Sequence, residues 1–288
     1  MAHPLLGFVG LGNLGLPMVA NLLDRDWSVL AHDSDPRRGD QARQLGAAVT
    51  AEPLDLAAVD YLCLAVPDGS AVSALLLEQQ LLDALTARTV VLVHSTVQPE
   101  TARSLAATCA RRGVAFLDAP VSGGADRARS GDLTVTVGAT DAHLRQARPV
   151  LEAEATDIVH VGEPGAGAAV KLANQLMLFA TLAGTYEALR LAGAHGVSEE
   201  VALRAVSTGT GASWVSQNWG FYDRLSADYD RAGVPPERRP WSKDVRDVVA
   251  AAAEAGVPAP LADLLTSVLP PDVASHAARQ HTDAQKVG

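Results

Sequence analysis

Four sets of residues in this chain have types and spacings that could do chemistry. The first is Gly10-Leu11-Gly12-Asn13-Leu14-Gly15, which follows the apolar run Leu5-Leu6-Gly7-Phe8-Val9 and precedes a helical pattern. Glycines in such a turn let backbone N–H groups approach a pyrophosphate at the positive end of a helix. Asp33, at the end of the next apolar run and roughly 20 residues beyond the glycines, can accept bonds from ribose hydroxyls. Glycine turns are common; the strand before, the helix after and the acid at that offset make this one read as a dinucleotide fingerprint. The second set is Lys171 and Asn174, three apart in a proline-free run behind the flexible Gly162-Glu163-Pro164-Gly165, so they share a helix face. That run is apolar on nearly every side, which predicts a buried helix. The pair is then either a snorkelling lysine beside a hydrogen-bonded asparagine or two groups with a chemical task. The third set, Ser122-Gly123-Gly124, offers a hydroxyl and successive N–H groups as an anion cradle, or is simply a loop. The fourth, Lys243-Asp244, taken alone reads as a solvated charged pair on a helix that starts near Ser242.

Positioning these groups falls to alternating elements. Strand-like runs recur at residues 61–66, 89–93, 114–117, 133–137 and 158–161, separated mostly by helical stretches. This alternation predicts a largely parallel sheet covered by helices, with ligands at the carboxyl ends of its strands. Val66-Pro67-Asp68 and His94-Ser95-Thr96 fall at such ends, as cofactor-facing loops or as ordinary turn and cap residues. Beyond Gly162 the strand signal stops and the chain reads as helices. Two domains are therefore expected, residues 1–162 and 163–288. The polar stretch 221–240, with Pro235-Pro236, is expected to be a mobile loop or lid.

With 288 residues and 48% hydrophobic composition the chain can bury a core in each domain. A formal net charge of −10 argues against a nucleic-acid or anionic-membrane surface and for small-molecule partners. Its two cysteines, Cys63 and Cys109, lie in apolar runs with no short Cys/His spacing, so neither a disulfide framework nor a zinc site is expected. Met1-Ala2-His3-Pro4 leads into a strand with no basic region or cleavage site, and the most apolar helix is interrupted by Asn174 and Gln175. No export signal and no membrane span are expected, and a cytoplasmic location fits.

Asp118-Ala119-Pro120-Val121-Ser122-Gly123-Gly124, taken with Gly10 to Gly15, Gly165 to Asn174 and Lys243-Asp244, resembles the β-hydroxyacid dehydrogenase family, typified by 3-hydroxyisobutyrate dehydrogenase. The motifs occur in family order across nearly the whole chain. The resemblance implies an α/β Rossmann-type N-terminal domain, a long interdomain helix and an all-α C-terminal domain for substrate binding and oligomerisation. It implies Lys171 and Asn174 as catalytic residues, and Ser122, Gly123, Gly124 and Lys243 as substrate-binding ones. Gly10, Gly12, Asn13, Leu14, Gly15, Asp33, Val66, Pro67, Ser95, Thr96 and Lys243 would hold the cofactor. Two departures stand out: Val93-His94-Ser95-Thr96 replaces the usual Asp-x-Ser-Thr, and Leu14 stands where methionine is frequent. Trp214, Trp219, Phe221, Tyr222 and Trp241 are either core or the lining of a pocket for a substrate larger than hydroxyisobutyrate.

The implied reaction moves a hydride between a nicotinamide cofactor and a small β-hydroxy acid or its semialdehyde. Lys171 could take the hydroxyl proton if burial brings its ammonium towards neutrality, and no metal is required. NAD is expected over NADP because Asp33 would repel a 2′-phosphate, although Arg37 and Arg38 could pair with one. A homodimer or homotetramer is expected from the apolar girth of the long helix. The alternatives are an imine reductase-like NADPH-dependent reductase and a catalytically silent dinucleotide-binding protein.

Overall fold

The structure, a computed structural model, describes residues 4–287, with side chains as far as Arg279. The expectation of a leaderless start rests largely on residues 1–3, which lie outside the described residues. Two compact units divide the chain, Met1–Lys171 and Leu172–Gly288.

The first unit is built from β1 (Leu5–Val9), α1 (Gly15–Asp24), β2 (Ser28–His32), α2 (Pro36–Gln44), β3 (Ala48–Val49) and β4 (Tyr61–Leu64). These are followed by α3 (Gly69–Ser73), α4 (Leu81–Ala84), β5 (Val90–Val93), α5 (Pro99–Ala110), β6 (Ala115–Asp118) and β7 (Val121–Ser122). Then come α6 (Gly124–Ser130), β8 (Leu133–Gly138), α7 (Asp141–Glu154), β9 (Ala155–Gly162) and the first turns of α8 (Ala166–Ala194). The strands pair in the order β3-β2-β1-β4-β5-β6-β8-β7, with β9 on β8. From β3 to β6 all pairings are parallel, and β8 runs antiparallel to β6 and β7. The chain winds outward from β1 in one direction and resumes at β4 in the other, which opens a crevice at the carboxyl ends of β1 and β4.

Alternation explains why both sheet faces are buried. Phe8, Cys63, Leu92 and Leu117 point into a core shared with α1, α6 and α7. Their neighbours Val9, Leu64, Val93 and Phe116 point into a second core with α4 and α5. Side chains at successive strand positions face opposite sides, so strands covered on both faces read as continuous apolar runs. Each fully buried Leu, Val or Phe stabilises the unit by about 1.5–3 kcal/mol relative to its exposed state.

The second unit continues α8 and adds α9 (Glu199–Val206), α10 (Trp214–Gln217), α11 (Phe221–Arg231), α12 (Pro240–Glu254) and α13 (Pro260–Val287). Its core joins Phe179, Leu182 and Tyr186 of α8 to Tyr222, Trp241, Val245, Leu265 and Leu269. Buried His276 on α13 meets Asp223 at 2.7 Å and Glu199 at 3.2 Å. Burial opposes its charge, but the two carboxylates outweigh that and raise the imidazole, fastening α9 and α11 to α13.

Two expectations are corrected. Residues 221–231 form α11 rather than a loop, because Phe221, Tyr222, Leu225 and Tyr229 recur at helical spacing and pack into the core while the other face is polar. Helix α8 is not buried all round: Met177 is 72% and Leu191 65% exposed. By length and composition α8 could cross a membrane, yet Phe179, Leu182 and Tyr186 seat it in the helical core.

The start of α8 lies against the sheet with no room for a side chain. A Cβ on Gly167 would sit 2.7 Å from the carbonyl oxygens of Asp118 and Thr136 and 2.8 Å from the Gly138 nitrogen. All three are backbone atoms and cannot rotate away. Gly167→Ala should destabilise the protein by about 1–3 kcal/mol, the usual cost of overpacking, read as a lower midpoint in urea at unchanged slope. An unshifted midpoint would show that this contact does not exist in solution.

Candidate active site

The glycine turn sits between β1 and α1 at the crevice. Gly10 has φ +94°, and a Cβ there would lie 2.4 Å from the Ala65 carbonyl oxygen; one on Gly15 would lie 1.8 Å from the Gly10 oxygen. The outer glycines are thus demanded by the protein's own packing. Gly12 is different, since its nearest neighbour would be Arg38 Nη1 at 3.7 Å. That open side suits the close approach of a pyrophosphate to the backbone, and the turn fits a dinucleotide. Asn13 beside it is exposed, while Leu14 is half-buried against the core.

Asp33 follows β2 with its side chain 6% exposed. Its carboxylate accepts from the Leu11 N–H at 2.7 Å and the Asp35 N–H at 2.8 Å, so it is tied to the glycine turn itself. Arg38 approaches it at 3.5 Å, whereas Arg37 forks onto Asp35. Val66 and Pro67 follow β4, and Ser95 and Thr96 follow β5. The Ser95 hydroxyl donates to the Val66 carbonyl at 2.8 Å, which joins the two loops at the strand ends.

Lys171, half-buried on α8, donates from Nζ to the Val121 carbonyl at 2.9 Å and to Ser122 Oγ at 3.3 Å. The structure therefore brings Lys171 to the loop Ser122-Gly123-Gly124. Both glycines have positive φ, +144° at Gly123 and +74° at Gly124, a turn that feeds α6. Asp118 sets where α8 begins: its fully buried carboxylate accepts from the Gly165 and Ala168 N–H groups, each at 2.8 Å. These are N–H groups that a helix start leaves without intrahelical partners. Burial pushes the Asp118 carboxyl up to about 6, against the pull of those N–H donors.

Asn174 and Lys243 belong to the helical unit and are linked there. Asn174 Nδ2 donates to Gln175 Oε1 at 3.2 Å, and Gln175 Nε2 donates to Asp244 Oδ2 at 2.7 Å. Lys243 Nζ donates to Asp244 Oδ1 at 3.1 Å and Asp247 Oδ2 at 2.7 Å. Burial works against the Lys243 charge, but Asp244 and Asp247 outweigh it and raise the ammonium. Lys243-Asp244 is accordingly not a solvated pair: the two side chains are 16% and 8% exposed.

Asp118, Gln175 and Asp247 do this positioning work without having been assigned it from sequence. Asp118 closing an otherwise apolar strand, and Gln175 in the middle of an apolar helix, are the available signals, since a buried polar group needs a partner. Asp247, four residues after Lys243 on a helix, is a spacing that brings opposite charges together.

Residues 5–162 match the model of the NAD binding domain of 6-phosphogluconate dehydrogenase. Residues 165–287 match that described as NAD-binding of NADP-dependent 3-hydroxyisobutyrate dehydrogenase. The chain is 36% identical to 3-hydroxyisobutyrate dehydrogenase of Pseudomonas aeruginosa over 211 residues, 73% of this chain and 71% of that one. It is 32% identical to 2-(hydroxymethyl)glutarate dehydrogenase of Eubacterium barkeri, over 91% and 87% of the two chains. A solved structure of Mycobacterium tuberculosis 3-hydroxyisobutyrate dehydrogenase with L-serine superposes with a TM-score of 0.81 at 30% identity, covering 96% of each chain. Imine reductases share the fold, the one from Myxococcus stipitatus at 18% identity and a TM-score of 0.66. The glycine turn, the two-part match and these relatives show that the chain belongs to the β-hydroxyacid dehydrogenase family and is an NAD(P)-dependent oxidoreductase acting on a hydroxy acid.

Proposed function

We propose that the protein oxidises a small β-hydroxy acid, 3-hydroxyisobutyrate-like in size, to its semialdehyde, with Lys171 as the proton acceptor. The observation that carries this reading is the Lys171 ammonium nitrogen lying 3.3 Å from Ser122 Oγ, beside the glycine turn that suits a carboxylate. In this reading Ser122 Oγ and the N–H groups of Gly123 and Gly124 bind the substrate carboxylate, and the neutral Lys171 amine takes the hydroxyl proton. A bound nicotinamide accepts the hydride from the same carbon. Asn174, three residues on along α8, orients the hydroxyl. Lys243, kept charged by Asp244 and Asp247, is the proposed further ligand of substrate and cofactor. Gly10, Gly12, Asn13, Leu14, Gly15, Asp33, Val66, Pro67, Ser95 and Thr96 hold the cofactor. Both cysteines are buried and neither is in a disulfide, which suits a reducing cytoplasm.

The decisive experiment is a panel of β-hydroxy acids, semialdehydes and cyclic imines followed at the nicotinamide absorbance. Lys171→Ala should lower kcat for hydroxy-acid oxidation by about 10² to 10⁴-fold with cofactor affinity nearly unchanged. Lys171→Arg should not restore it, because a guanidinium stays protonated. Wild-type oxidation should speed up with rising pH as the amine sheds its proton. Retention of most of kcat in folded Lys171→Ala protein, or turnover of imines alone, would overturn the proposed chemistry.

NAD is proposed as the preferred cofactor. Asp33 is tied into the glycine turn, where it would accept from bare ribose hydroxyls and repel a 2′-phosphate, and Arg37 is occupied by Asp35. Arg38 is the group to which a 2′-phosphate would turn. Kinetics should give higher kcat/KM with NAD, and Asp33→Ser should narrow or reverse the gap. Equal or better efficiency of the unmodified protein with NADP would refute the assignment.

A homodimer or homotetramer is proposed as well. Met177, Gly184 and Leu191 recur every seven residues on α8, so they share a face, and all three are exposed. Gly184 meets nothing within 4 Å of where a Cβ would be, leaving room for a second helix to approach closely. Light scattering at micromolar concentration should show an oligomer that Met177→Asp weakens; a monomeric wild-type protein would rule it out.

A further inference from the structure

Three side chains that the proposed reaction does not use meet inside the first unit. Cys63 lies on β4, His94 directly follows β5 and Glu154 ends α7. All three are buried; the side chains of His94 and Glu154 have no exposure at all. The carboxylate spans the other two, with Oε1 3.9 Å from Cys63 Sγ and Oε2 3.4 Å from His94 Nε2. The three donor atoms lie within 4.8 Å of one another.

The tautomer of His94 follows from its other side. Nδ1 lies 2.9 Å from the Ala119 carbonyl oxygen, which can only accept, so Nδ1 carries the hydrogen. In the neutral ring Nε2 is then a bare lone pair. It lies 3.4 Å from Glu154 Oε2 with no hydrogen bond between them, and both atoms are buried without a hydrogen-bond partner. Polar atoms in that condition need an explanation, and an ion between them is one.

We propose that Cys63, His94 and Glu154 form a structural site for one divalent transition-metal ion of the zinc class. A thiolate, an imidazole nitrogen and a carboxylate are three ligand types that zinc takes, and a carboxylate chelating through both oxygens would complete its coordination without solvent. The N···O separation of 3.4 Å and the S···O separation of 3.9 Å match donors about 2.0–2.3 Å from a common ion, and the S···N pair, within 4.8 Å, would draw to about 4.4 Å or less on binding. An imidazole whose second nitrogen donates to a backbone carbonyl has the orientation that metal-bound histidines show. Charge balance agrees: a dication with one thiolate and one carboxylate is neutral, as a site without solvent requires. Binding displaces the Cys63 and Glu154 protons to solvent and leaves the neutral imidazole as it is. Without an ion, burial pushes the Cys63 thiol and the Glu154 carboxyl up and holds the His94 imidazole down. The ion would tie β4, the end of β5 and the end of α7 together, and would take no part in hydride transfer.

Because the site is closed to solvent, the ion must enter as the chain folds. The test uses Cys109→Ala protein, in which Cys63 is the remaining thiol of the two. It is unfolded with a chelator, refolded with or without cobalt(II) or zinc(II), and freed of unbound metal. Metal content, the thiolate-to-cobalt charge-transfer absorption and the melting temperature are then measured alongside circular dichroism. The expected result is one ion per refolded chain, a charge-transfer band and a higher melting temperature than the metal-free form. His94→Phe and Glu154→Gln, where they fold, should each bind metal about 10 to 100-fold more weakly, or worse. Wild-type protein refolded in parallel should carry the same single ion, which guards against a folding defect from Cys109→Ala. Native-like protein that retains no metal, or metal without a charge-transfer band, overturns the site in favour of a core in which Glu154 and His94 share a proton.

Discussion

A buried carboxylate at the end of a strand decides where the helix carrying Lys171 begins. Asp118 on β6 accepts from two N–H groups at the start of α8, and hydrogen bonds to a charged group contribute about 1.5–3 kcal/mol each. A one-residue slip of that start would break both bonds and turn Lys171 by roughly 100° about the helix axis, away from Val121 and Ser122. Gly138 and Gly167 belong to the same constraint. A Cβ on Gly138 would lie 2.5 Å from Asp118 Oδ1, and one on Gly167 would strike the strand backbone. The raised Asp118 pKa is the electrostatic trace of this arrangement, since water has been replaced by a few fixed dipoles.

Features with local causes were legible in the sequence. The glycine turn could be placed because the strand, turn, helix and following acid all lie within a short stretch. Runs such as Val90 to Val93 could be recognised as buried strands because side chains on both sheet faces are apolar. Short strands were not legible: β7 has two residues, too few for any periodicity, yet it carries Val121 and Ser122. Candidate side chains could be named, but their partners could not. Asp118 meets N–H groups 47 and 50 residues away, and Gln175 meets Asp244 69 residues away, distances that only topology spans.

The same reason hid the buried triad. Cys63 read as part of an apolar strand and His94 as a loop substitution, and nothing in the sequence singled out Glu154. Parallel pairing of β4 with β5 and the return of α7 across one sheet face bring them together, so spacing in sequence has nothing to detect. Helix α11 was obscured differently. Its charged residues and the following prolines dominate composition, while four aromatic and aliphatic residues at helical spacing supply the packing.

Helix α8 shows where hydropathy alone cannot decide. A helix apolar on most sides fits a membrane span, a core helix or an interface helix equally well. Gln175 distinguishes them: it is 5% exposed and donates to Asp244, itself 6% exposed, which also accepts from Lys243. Charged groups at lipid depth cost several kcal/mol, and here the polar chain from Asn174 to Asp247 is satisfied within the helical unit instead. The apolar residues of α8 then divide by direction. Phe179, Leu182 and Tyr186 build the core of the unit, and Met177 and Leu191 remain on an open face. What reads in sequence as one excess of apolar surface is two faces, one packed into the helical core and one exposed, and the buried glutamine marks which of them faces inward.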